Sequence, residues 1–264
     1  MGVIDLFFNN ISSGKLPKEI KSKNLLSVII EVRFKRGLSI EQNIFNLYPE
    51  IKESFEHPVR TNFNVPQEIK IMDDTFKYLP DWTLNDTSKC YTLGIGAYAI
   101  SFTSLNFRYK GWDDFFDLWK RLWMKCNGIF SLFSNEVEQI GVRFINAFNI
   151  QEDFYSNLNF SAKICDTDVL DFEYTSQFAF SDDANYIKLS LSNNASYGYY
   201  DYVTEEQKKQ NNAAIIDIDV ITNKDLDKVD IIETVANNHK KAKQIFFSLW
   251  RKDKIKDILG VNLE

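Results

Sequence analysis

The sequence predicts an α+β fold of two tandem β-α-β4-α units, a mainly antiparallel sheet with helices on one face. Three observations carry this. A strand, Val28-Ile29-Ile30-Glu31-Val32-Arg33-Phe34, opens a run of one helix, several strands and a Trp-rich helix. A second strand, Gln139-Ile140-Gly141-Val142-Arg143-Phe144, opens a run in the same order. Glycine and proline are sparse, at 10 and 5 residues, so element interiors should be regular. The implied layout is an arm over 1–22, a first unit over 23–135 and a second over 136–264, the two units sharing one core.

In the first unit, Val28, Ile30, Val32 and Phe34 lie on one strand face. Ile29, Glu31, Arg33 and Lys35 lie on the other. Ser39 can cap the next helix, where Ile40, Ile44, Leu47, Ile51 and Phe55 recur at helical spacing until Pro58 stops it. Four short strands follow, near 68–72, 75–84, 89–96 and 97–109, with a bulge near Ser104. Trp112, Phe115, Trp119, Leu122, Trp123 and Cys126 then form one stripe of a helix, best read as core.

The second unit restarts at Val137. Residues 154–158 read as a degenerate helix. Strands follow through Leu170–Phe180, Ile187–Leu191, the Tyr197–Tyr200 segment and Ala214–Ile221. The polar stretch 205–212 reads as a loop. A closing helix runs from Leu226 to Trp250. The resulting order resembles the TATA-binding-protein-like architecture, in topology only.

Composition bounds the function. With 44% hydrophobic residues among 264, the chain can bury a sizeable core. The net charge of −6 argues against a protein whose main task is gripping a nucleic-acid backbone. Cys90, Cys126 and Cys165 are odd in number and widely spaced, which suggests neither a disulfide framework nor a metal motif and fits a reducing, cytoplasmic setting. No apolar run reaches membrane-spanning length, and the first residues match neither a secretory signal nor a myristoylation site.

Candidate chemistry is thin. Asp217 and Asp219 alternate on one strand, so both carboxylates leave the same face, opposite Ile216, Ile218 and Val220. They suit a metal or general-base pair for phosphoryl transfer, or an ion-paired sheet face against Arg33 and Arg143. Those two arginines occupy equivalent points of the two runs. They read either as converging on an anionic ligand or as structural ion pairs. His239 falls on the apolar stripe of the last helix with Lys243 one turn on. It is a catalytic candidate, or a core-edge histidine. Lys240, Lys241, Lys243, Arg251, Lys252, Lys254 and Lys256 make the C-terminal region basic, which makes nucleic acid the second choice of partner. No metal motif, phosphate loop or nucleophile elbow appears, and no cofactor is expected.

Several strings, in order, give the chain a further likeness: Leu25-Leu26-Ser27-Val28 leading to Glu31-Val32-Arg33-Phe34, Gly111-Trp112-Asp113-Asp114-Phe115, Gly141-Val142-Arg143-Phe144-Ile145-Asn146, Ile216-Asp217-Ile218-Asp219-Val220, His239-Lys240-Lys241-Ala242-Lys243-Gln244-Ile245-Phe246, and Leu259-Gly260. Together they resemble the TIGR04255 family of uncharacterised, sporadically distributed bacterial proteins. That resemblance implies a bacterial cytosolic protein, with genome neighbourhoods linked to mobile elements or defence. It brings no reaction. The expected function is therefore a non-enzymatic binding or regulatory component whose partner is another protein encoded nearby.

Overall fold

The computed structural model describes residues 16–17, 24–61, 69, 72–105, 108–132, 136–149, 154–160, 163–164, 166–168, 173–182, 184–201, 204 and 206–260. Nine strands form one sheet in the order β2-β3-β4-β5-β1-β6-β11-β10-β9, and β7 and β8 pair separately. These are β1 (Leu25–Phe34), β2 (Val59–Arg60), β3 (Trp82–Asn85), β4 (Tyr91–Ile95), β5 (Ala99–Ser104), β6 (Val137–Asn149), β7 (Lys163–Ile164), β8 (Thr167–Asp168), β9 (Thr175–Ser181), β10 (Asn185–Asp201) and β11 (Glu206–Thr222). The helices are α1 (Ile40–Ile51), α2 (Trp112–Phe130), α3 (Ile231–Ser248) and α4 (Lys252–Leu259), with single turns at Asp74–Lys77, Phe154–Asn157 and Leu226–Lys228.

This corrects the expected fold class. The protein is built on one large, mainly antiparallel nine-stranded sheet, not on two tandem β-α-β4-α units. After β6 the degenerate helix expected over 154–158 is a single 3₁₀ turn, Phe154–Asn157, among the described residues. Four residues there cannot present a helical stripe to a core. Further along, β10 and β11 run for 17 residues each.

Contacts divide the chain into two compact units. One comprises Ser27–Val142 and Ile221–Ala236. Here β1 alternates as expected, with Val28, Ile30, Val32 and Phe34 fully or almost fully buried. β5 pairs antiparallel to it, Ile30 opposite Phe102. The Phe102 ring stacks on Phe115 of α2 at 4.8 Å, which seats the Trp-rich helix on the sheet. Ser39 stands at the N-cap of α1, but its hydroxyl makes no capping bond. Of the strand expected over 68–72, only Ile69 and Met72 are described, and both are helical. The strand expected over 75–84 is a helical turn, then β3. The Leu79–Pro80 segment passes close to Gly96, just after β4, where a Cβ would lie 2.6 Å from the Leu79 carbonyl oxygen. Only glycine admits that approach.

The other unit comprises Met1–Leu26, Arg143–Val220 and Asn237–Glu264. Its core joins Ile187, Leu189 and Leu191 of β10, Ile216, Ile218 and Val220 of β11, and Ala242, Ile245, Phe246 and Phe247 of α3. Of the expected N-terminal arm only Leu16 and Pro17 lie within the described residues, and Leu16 packs on this core. The strand expected from Leu170 begins, in the described residues, at Thr175; Leu170 and Phe172 lie outside them. The closing helix expected over 226–250 is α3, preceded by the turn at Leu226–Lys228, and α4 follows beyond that span. Trp250 forms a bridge with Leu158, and Asn159 donates to the Ser248 and Trp250 carbonyls at 3.2 and 2.8 Å, which ends α3.

Of the expected loop over 205–212, residues 206–212 are strand, and 205 lies outside the described residues. Beyond Asn193, β10 outruns β9 and continues with β11 as a ribbon in which no described side chain from 194 to 201 or 206 to 212 is buried. Ser196 bonds to Asn211 at 2.9 Å, and Lys208 pairs with Asp201. On its β11 side, residues 206–212 are all polar, so they carry no apolar alternation to read, while on its β10 side half-buried Tyr197 and Tyr199 alternate with exposed neighbours, and the strand expected over 197–200 is part of β10.

Candidate functional site

Alternation on β11 sends Ile216, Ile218 and Val220 into the core and leaves Asp217 and Asp219 half-buried on the other face. Arg143 of β6 meets Asp217 there. Its Nε and Nη2 donate to the two carboxylate oxygens at 2.9 and 2.6 Å. The side chains are 44% and 16% exposed. Both Asp217 oxygens therefore already accept from a planar fork of donors.

Arg33 makes a different cluster. Its Nε donates to Glu31 Oε1, two residues along the same strand face, at 2.6 Å, and its guanidinium lies 4.0 Å from the centre of the Tyr78 ring. Tyr78 donates its hydroxyl proton to Glu138 at 3.2 Å, and Lys77 lies 3.7 Å from the same carboxylate. Arg33 and Arg143, expected either to converge on an anion or to form ion pairs, each hold a carboxylate within their own unit.

His239 is partly buried on α3, its ring 5.6 Å from that of Phe144. Burial, with the Lys243 ammonium beside it, pushes its pKa down to about 3. The imidazole is uncharged at neutral pH and packs on an aromatic ring, which is the core-edge arrangement. Cys126 is fully buried and its thiol is pushed up to about 12 by burial, so it is no nucleophile at neutral pH.

One polar cluster has no counterpart among the expected sites. Lys241 of α3 bonds to both Asp182 and Asn185, and Asn185 donates to Asn238 at 2.9 Å. Burial acts to raise the Asp182 pKa, but Lys241 and the Asn185 and Ala184 backbone N–H groups outweigh it and hold it below the usual range. This network ties the β9–β10 turn to α3. The turn and the helix lie more than 50 residues apart in sequence, so no local motif announces it.

Among the described residues no three His, Cys, Asp or Glu side chains come together to hold a metal ion, and no helix is long and apolar enough to cross a membrane. The basic C-terminal stretch is diluted. Lys241 is committed to Asp182, while Asp253 and Asp257 alternate with the lysines of α4. No protein-family model matches this sequence, and no curated protein matches it.

Proposed function

We propose that this protein is a non-enzymatic binding component of a bacterial system, working through protein–protein contact on the sheet face that bears Arg143, Asp217 and Asp219. The observation that carries this reading is the two-point pairing of Arg143 with Asp217. Arg143 takes up one acceptor position on each Asp217 oxygen and offsets the carboxylate's charge, which weakens its pull on a metal cation. A fixed, partly exposed ion pair suits another role, setting register and orientation against a complementary surface.

The reading keeps the proposed kinship with the bacterial family that the ordered strings resemble, and a cytoplasmic setting. Cys90 and Cys126 as buried free thiols support the latter. Nucleic acid is disfavoured, because acidic residues interleave with the exposed lysines of α4 and the whole chain is acidic.

The test is affinity capture from the native host with wild type, Arg143→Glu, and a Lys240→Gln/Lys252→Gln control. A protein held by wild type and the control but lost with Arg143→Glu supports the reading. A partner held equally by Arg143→Glu contradicts it.

A further inference from the structure

Two asparagines mark the place where the β10–β11 ribbon leaves the sheet. The last residue of β10 opposite β9 is Ser192, paired with Thr175. Next to it, Asn193 donates its main-chain N–H to the Tyr174 carbonyl at 3.2 Å, and its side-chain oxygen accepts the Tyr174 N–H at 2.8 Å. On β11 the boundary is Asn212, whose φ of 55° is left-handed within a strand. Asparagine tolerates that conformation better than most residues with a Cβ. Ala213 and Ala214, which follow, are both fully buried, where a regular strand buries every other side chain. On the sheet side of this boundary Ile187, Leu189, Leu191, Ile216, Ile218 and Val220 pack in the core. On the far side no described side chain is buried. One ribbon face carries half-buried Tyr197, Tyr199, Asp201, Lys208 and Gln210, and the other exposed Asn194, Ser196, Lys209 and Asn211.

We propose that the ribbon is an arm that unzips and re-forms on its own, hinged at Asn193 and Asn212, while the sheet below it stays closed. A two-stranded ribbon with no core beneath it is marginally stable in water. The contacts that close this one include the Tyr197 and Tyr199 rings, 6.0 Å apart, the Lys208–Asp201 ion pair and the Ser196–Asn211 bond. The Lys208 side chain is 37% exposed, so salt screens its ion pair. Opening the arm gives up little buried area, whereas opening the sheet gives up the core, so the two events differ widely in free energy. A hinge is a residue at the end of an element that absorbs a backbone change, and left-handed Asn212 stands at that position. The arm is then the part of the unit that changes shape without loss of its core.

The experiment is residue-resolved hydrogen exchange by NMR on the full chain, at rising urea concentrations below the unfolding transition. Hydrogen-bonded amides of 194–199 and 206–211 should exchange about a hundredfold faster than those of 187–191 and 216–220. Ribbon rates should barely respond to urea, because opening exposes little surface, whereas the core amides should follow the global slope. Protection should step at Asn193 and Asn212. Tyr197→Ser/Tyr199→Ser should speed the ribbon amides roughly fivefold and leave the core amides and the denaturation midpoint unchanged. Ribbon amides as protected as the core, with the same urea slope, overturn the proposal. So does a double variant that destabilises the core amides as much as the ribbon, and so does protection that fades without a step at the two asparagines.

Discussion

The guanidinium of Arg143 grips both oxygens of the Asp217 carboxylate, Nε at 2.9 Å and Nη2 at 2.6 Å, across two strands of the sheet. The residues are 74 positions apart in sequence. Two-point geometry raises the strength of an ion pair, while exposure of the arginine lowers it. A double-mutant cycle with Arg143→Ala and Asp217→Ala, read by urea denaturation, should give a coupling of about 1 kcal/mol. A coupling near zero would mean that the pair contributes nothing to rigidity and cannot order the surface.

Asp86 should matter more. It is buried, and its carboxylate accepts the Cys90 and Tyr91 N–H groups at 2.6 and 2.7 Å, the Ser88 N–H at 3.2 Å and the Ser88 hydroxyl. These bonds shape the turn between β3 and β4. Asp86→Ala leaves the buried donors without an acceptor and should cost about 3 kcal/mol in chemical denaturation, with Asp86→Asn costing less because one oxygen remains. Equal, small losses for both would assign the turn to backbone preference alone.

His239 sets a pH dependence. Its folded pKa of about 3 lies below the value near 6.5 expected when unfolded. As pH falls through 6.5, the unfolded chain takes up this proton first. Stability is therefore complete above that pH and declines towards pH 3, by up to about 1.4 kcal/mol per pH unit. Asp182, also held below its usual range, adds an acid loss only where carboxylates protonate. Stability between pH 7 and 5 isolates the histidine: wild type should decline and His239→Leu should stay flat. A wild-type curve that is flat there would mean that the imidazole is accessible to protons in the folded protein.

How much of the fold is legible in the sequence follows from physical range. β1, α1 and α2 each bury one face within a single segment, so their period-two and helical stripes can be read from the residues alone. The pairing of Asp217 with Arg143 is legible as one of two choices, because parity fixes the face although not the partner. The Lys241–Asp182–Asn185–Asn238 network leaves no trace in the sequence, since each member is an ordinary polar residue until the β9–β10 turn meets α3. The ribbon over 206–212 looks like a loop because backbone pairing, not apolar alternation, holds it. The degenerate helix expected over 154–158 is there as a single 3₁₀ turn, Phe154–Asn157.

The central claim, that the Asp217 face binds rather than catalyses, is tested most directly by calorimetric titration of Mg²⁺, Mn²⁺ and Zn²⁺ into wild type and Asp217→Ala. With the Asp217 charge offset by Arg143 and no third metal ligand beside it among the described residues, no saturating heat is expected in either protein. A one-to-one isotherm in wild type that vanishes in Asp217→Ala would contradict it and make Asp217 a metal ligand of a phosphoryl-transfer site.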